Sequence, residues 1–178
     1  MASGFQRDKV AAVFAAMDHD GDQVLTESDF AALADRWTRV RGCAPDSADH
    51  HRLTTVMLGW WHTLRTAAAA DHVTLDDVLT VVDQLPAMPS AVAATAEAMF
   101  DAVDTNADGT ISADEYRTMI EAWNGRPADT ATTFARLDLD SDGHLSRAEF
   151  TTLWTQFWSG NDPTSPGTWI FGDFPRTA

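Results

Sequence analysis

The sequence predicts an all-α protein of four helix-loop-helix units in two pairs. Three observations predict it. Acidic twelve-residue loops of one design recur at 18–29, 104–115 and 138–149. Apolar residues at intervals of three and four flank each loop, the period of a helix with one buried face. The loops at 104 and 138 start 34 residues apart, so they are repeats of one unit.

The loop at 138–149 (DLDSDGHLSRAE) is the most complete. Asp138, Asp140 and Asp142 place carboxylates at the first, third and fifth positions, and Glu149 closes the set at the twelfth. A hard divalent cation takes six to eight oxygens at about 2.3–2.6 Å, and this spacing wraps them around one point. His144, seventh, offers its backbone carbonyl rather than its ring. Gly143, sixth, allows the left-handed backbone of the sharp turn. A mere Asp- and Gly-rich turn seldom fills every ligand position between two amphipathic helices.

The elements follow in order. Val10, Val13, Phe14 and Met17 make one apolar face over 5–17. The first loop (DHDGDQVLTESD) has Asp18, Asp20 and Asp22 in the first three ligand positions and Val24 at the carbonyl position. Two departures weaken it: Gln23 replaces the glycine, at about 1–2 kcal/mol for a left-handed residue, and Asp29 replaces the longer Glu. Asp29 either reaches with one oxygen or tightens the loop, so a weaker or less calcium-selective site is expected, one open to Mg2+. Phe30, Leu33, Ala34 and Trp37 mark the exit helix.

A Gly-Pro-Asp break at 42–49 precedes a helix capped by Asp46 or Ser47 and running to about Ala70. His50, His51 and Cys43 fit no zinc spacing. The stretch 66–77 (TAAAADHVTLDD) ends like the other loops but has Ala68 and Ala70 at the third and fifth positions. It is expected to keep the shape of a metal loop without the metal. Leu75, Val78, Leu79, Val82 and Leu85 then form an amphipathic helix, and 86–89 (PAMP) is the linker between halves.

Ser90 opens the next helix, which leads into the third loop (DTNADGTISADE). Asp104, Asn106, Asp108, the Thr110 carbonyl and Glu115 fill every position around Gly109. Beyond the fourth loop, Phe150, Leu153, Trp154 and Phe157 mark the last helix. The tail from 159 carries Trp169, Ile170, Phe171 and Phe174, too apolar for a disordered end, and is expected to fold back over an apolar surface. The divisions are 1–85 for the first pair, 90–158 for the second and 159–178 for the covering segment.

One unit cannot bury its own apolar faces, so Leu25 should meet Val73, and Ile111 should meet Leu145, as short antiparallel bridges. The metal-free second unit persists because the first needs a partner. With Trp in both halves and a short linker, one compact body is expected.

The formal charge of −15 over 178 residues excludes an electrostatic binder of nucleic acid or anionic membrane and suits uptake of cations. One cysteine excludes an intrachain disulfide. No stretch suits a membrane span, and the first residues resemble neither a secretory signal nor a myristoylation site. The expectation is a cytoplasmic monomer with no known protein target.

With these loops the chain resembles the EF-hand proteins of the calerythrin and sarcoplasmic calcium-binding group. The likeness extends to the closing segments 157–163 (FWSGNDP) and 166–172 (PGTWIFG). It implies a compact helical fold with a silent second hand, about three Ca2+ at the first, third and fourth loops, and a role in calcium buffering or transport. The alternative is a sensor that exposes an apolar groove, although such grooves are Met-rich and here Trp and Phe dominate. Light-emitting photoproteins are also similar, but Trp154 and Trp169 stand at their reactive His and Tyr positions and the one tyrosine is Tyr116. An enzyme is therefore not expected.

Overall fold

The computed structural model describes residues 3–173, so Phe174 lies outside the described residues. The element order is α1 (Gly4–Met17), β1 (Val24–Leu25), α2 (Glu27–Val40), α3 (Ala48–Ala68), β2 (Val73–Thr74), α4 (Leu75–Val82), α5 (Pro89–Val103), β3 (Thr110–Ser112), α6 (Ala113–Asn124), α7 (Ala131–Leu137), β4 (His144–Ser146) and α8 (Arg147–Ser159). Short 3-10 turns cover Leu85–Ala87 and Pro166–Trp169.

The helices start where side chains satisfy their free N–H groups. Ser47 caps α3 by accepting from the His50 N–H. Thr74 with Asp77, Ser112 with Glu115 and Ser146 with Glu149 form reciprocal capping boxes, each contributing about 1 kcal/mol. The twelfth loop residue is thus also the third residue of the exit helix. α5 begins at Pro89 rather than Ser90, because proline's fixed φ suits a first helical position. α6 stops at Gly125, which is left-handed with φ 69°.

The loops pair as expected. β1 and β2 are antiparallel with Leu25 opposite Val73, and β3 and β4 with Ile111 opposite Leu145; all four side chains are fully buried. These bridges place the two loops of each pair side by side.

The two pairs share one hydrophobic core. Trp60 of α3 packs 6.1 Å from Trp123 of α6 and 6.0 Å from Trp154 of α8, and Trp37 of α2 meets Trp123 edge-on at 6.4 Å. The closing segment folds back onto α8, α7 and α6. Phe171 sits among Trp123, Trp154 and Phe157 at 4.9, 5.4 and 4.8 Å, and Ile170 is fully buried. Gly167 makes this possible, since a Cβ there would collide with the Leu153 carbonyl of α8. No helix among the described residues is long and apolar enough to cross a membrane.

The second unit departs from expectation. α3 ends at Ala68, short of Ala70, yet this already carries helix through the first three positions of the loop at 66–77. Only Ala69 turns left-handed, with φ 53°. Four alanines offer no side-chain oxygen to compete with the helix and have the highest helix propensity. The unit keeps its β-bridge and exit helix and loses the first half of its loop.

Candidate metal centre

The three acidic loops fold on one hydrogen-bond plan, written by their own side-chain oxygens. The first-position carboxylate reaches the N–H of the sixth residue: Asp18 accepts from Gln23 at 2.9 Å, Asp104 from Gly109 at 3.0 Å and Asp138 from Gly143 at 2.9 Å. The fifth-position carboxylate accepts from the seventh N–H, in Asp22 with Val24, Asp108 with Thr110 and Asp142 with His144, each at 2.9 Å. Such turns gather short oxygen side chains on the inside of the loop. Val24, Thr110 and His144, the expected carbonyl donors, are also the first residues of β1, β3 and β4, so the bridge fixes their backbone.

The twelfth residue closes each loop from both sides. One oxygen of Glu115 accepts from the Thr105 N–H at 2.8 Å and the other from the Ser112 N–H at 2.9 Å. Glu149 does the same with Leu139 and Ser146, at 3.0 and 2.8 Å. Asp29, one methylene shorter, still bridges His19 at 3.0 Å and Thr26 at 2.8 Å. In the second unit Asp77 keeps only the contact to Thr74.

Carboxylate oxygens of Asp18, Asp20 and Asp29 all lie within 4.8 Å of one another, and so do those of Asp138, Asp140 and Glu149. The third loop has Asn106 in the third position; its amide nitrogen donates to Asp108 and its oxygen accepts the Asp108 N–H. The first and fourth loops therefore each present four carboxylates at ligand positions and the third loop three. Desolvation and then the neighbouring Asp142, Glu149 and Asp138 push the Asp140 carboxyl above its ordinary range. Desolvation also pushes Glu115 and Glu149 up, but hydrogen bonds from Ser112 and Thr105, and from Ser146 and Leu139, outweigh it and hold both low. Both twelfth-position groups are thus kept ionised, ready for a cation. Hard oxygen donors without histidine or cysteine fit calcium or magnesium and do not favour zinc.

Backbone strain lies where it was expected and also where it was not. Gly109 and Gly143 are left-handed with φ 86° and 89°, and Gln23 adopts the same turn at φ 70° without being glycine. The fourth position is left-handed too, in Gly21 at 74°, Ala107 at 56° and Ser141 at 62°. Sequence reasoning missed this second strained position because three different residue types occupy it. It also missed the Thr105 and Thr26 hydroxyls that donate to the closing carboxylates.

Two segments, 96–120 and 130–154, match the family model described as EF hand. The chain is 26% identical over 172 residues to calerythrin of Saccharopolyspora erythraea, covering 90% of this chain and 96% of that one. It is 25% identical over 164 residues to the luciferin-binding protein of Renilla reniformis, covering 88% of each. The solved sarcoplasmic calcium-binding protein from amphioxus superposes with a TM-score of 0.73 at 18% identity, over 98% of this chain and 100% of that one. The matched segments contain the third and fourth loops, and the likeness to calerythrin spans both pairs: the chain has an all-α EF-hand fold and is similar to calerythrin and the sarcoplasmic calcium-binding proteins.

Proposed function

We propose that this protein is a calcium buffer or transport protein holding about three ions, one each in the first, third and fourth loops. The ligands are Asp18, Asp20, Asp22, the Val24 carbonyl and Asp29; Asp104, Asn106, Asp108, the Thr110 carbonyl and Glu115; and Asp138, Asp140, Asp142, the His144 carbonyl and Glu149. The third and fourth loops are the calcium sites proper, and the shorter Asp29 makes the first the one most open to magnesium. The observation that carries the buffer reading is the seat of Phe171, wedged against Trp123, Trp154 and Phe157 where a sensor would open its groove. Large exposed hydrophobics among the described residues are few and scattered, at Val40, Met88 and Leu139. Buffer hands barely open on loading. A calcium titration in millimolar magnesium, with an apolar-surface dye in the same samples, tests the reading. Filling of the sites without a rise in dye signal supports a buffer; a clear rise makes the protein a sensor.

A second reading is favoured by a cavity of about 270 Å³ between the pairs, floored by Val13, Phe30, Trp123 and Trp154 and opening toward Met88. No charged side chain lines it, and the indole N–H groups of Trp123 and Trp158 have no acceptor among the described residues. An apolar cavity of about 150 Å³ takes one benzene, so this one suits an uncharged two-ring molecule with a hydrogen-bond acceptor. The name of the luciferin-binding relative points the same way. Tryptophan quenching by 2-acetylnaphthalene but not by naphthalene-2-carboxylate is the expected result; equal indifference to both removes this reading.

A further inference from the structure

Helix α2 leaves the first loop, and two arginines, Arg36 within it and Arg41 at its C-cap, grip the hands on either side of it. The Arg36 guanidinium donates through Nη2 to the Ala16 carbonyl at 2.8 Å and the Trp123 carbonyl at 2.7 Å, and through Nε to the Ala122 carbonyl at 2.7 Å. Arg41 donates through Nη1 to the Ala102 carbonyl at 2.6 Å. Ala16 lies two residues before Asp18, and Ala102 two residues before Asp104. The two guanidiniums therefore hold the equivalent carbonyl in the helices that enter the first and third loops. Ala122 and Trp123 belong to the last turn of α6, the helix that leaves the third loop. Each carbonyl sits in the last turn of its helix, where the macrodipole favours a cation, and the rigid fork of arginine suits several such acceptors at once. The fit is close: a Cβ on Gly125, just past the end of α6, would stand 3.3 Å from Arg36 Cδ and Nη1.

We propose that Arg36 and Arg41 couple the first and third metal sites across the two pairs, so that an ion in one tightens binding in the other. This rests on the calcium reading above. Metal in a loop orders the adjoining ends of its entering and exiting helices, even where the angle between them changes little. In the first hand these are α1 and α2, which Arg36 ties together directly. In the third they are α5 and α6, which Arg41 and Arg36 tie to the same α2. Ordering the helix ends at one loop therefore pre-orders those at the other. The paired loops communicate through their β-bridges, but the first and third loops share no bridge, and the arginines connect them.

The test uses the full chain with the fourth site silenced by Glu149→Gln, which leaves the first and third. Adding Glu115→Gln leaves only the first. Calcium affinity of the first loop, read by competition with a chromophoric chelator, is expected to fall about five-fold or more on that second change, the lower range for coupled sites. With Arg36→Lys or Arg41→Met also present, it should fall less than about two-fold. An equal fall with and without the arginines overturns the proposal, and so does no fall in either. Absence of binding at any loop instead overturns the calcium reading itself. Amide exchange of the last turn of α5 in the Glu115→Gln, Glu149→Gln protein gives a readout independent of third-site binding. Loading the first loop should slow it, and Arg41→Met should abolish the slowing. Circular dichroism in chelator confirms that each variant is folded before it is compared.

Discussion

Lys9 Nζ donates to the Phe157 carbonyl at 2.6 Å and to the Gly160 carbonyl at 2.9 Å, joining the first helix to the end of the last. The side chain is fully buried, and its ammonium lies 5.0 Å from the centre of the Phe157 ring. Burial strips its water and lowers its pKa from 10.5 to about 8. Below pH 8 both folded and unfolded chains are protonated here, and the cost of burying the charge is fully present. Between about 8 and 10.5 the unfolded chain keeps the proton that the folded one has released. This residue therefore makes the protein more stable as pH rises through that window. Denaturant unfolding of wild type and Lys9→Met across pH 7 to 10.5 should show that rise in the difference between them. At pH 7 the variant should lose about 1–3 kcal/mol, because two buried carbonyls lose their donor.

Gln23 and Ala107 hold left-handed backbone with φ 70° and 56°. Replacing either by glycine relieves about 1–2 kcal/mol of steric strain, against a loss of about 0.5–1 kcal/mol from the freer unfolded chain. Each of Gln23→Gly and Ala107→Gly should raise stability in chelator by about 0.5–1 kcal/mol. Gln23→Gly should also tighten the first site, since the Asp18 contact to the sixth N–H survives the change. Thermal unfolding with and without calcium measures both effects.

Glu149 accepts from Leu139 with one oxygen and from Ser146 with the other, so it closes the fourth loop on both sides. Glu149→Gln should abolish or greatly weaken the fourth site and spare the first. Calorimetry that still counted three equal sites would reject this ligand assignment.

Gly167 is held by its N–H to Gln156 Oε1 at 2.9 Å, and a methyl group there would meet the α8 backbone. Gly167→Ala should lift the closing segment and uncover Trp123 and Trp154. We expect a loss of about 1–3 kcal/mol, as for overpacking elsewhere in cores, with a rise in apolar-dye fluorescence that wild type lacks. An unchanged dye signal would show that Phe171 stays seated without this fit.

Much of the fold and the candidate site was legible in the sequence because both are local. The oxygens of the fourth loop follow from spacing along twelve residues, and the register of Leu25 with Val73 follows from their equal loop positions. The left-handed turn at Gln23 follows from its loop place, even though glycine is absent. The second loop was read less well. Its missing ligands were plain, but its conversion to helix depends on what remains once those oxygens are gone.

What the sequence determined by itself is thus the four helix-loop-helix units, their pairing and the oxygens each loop presents. Each depends on residues near one another in the chain, where backbone geometry allows few arrangements. Only the tertiary structure decided how the pairs meet. Arg36 reaches a carbonyl 87 residues away in the chain, and Lys9 one 148 residues away. Arginine and lysine on amphipathic helices read as solvated charges, and nothing in their spacing says otherwise. Lys9 became a buried tie and Arg36 a half-buried one because the packed helices leave carbonyl ends between them, and a cation there meets both the unpaired oxygens and the helix dipole.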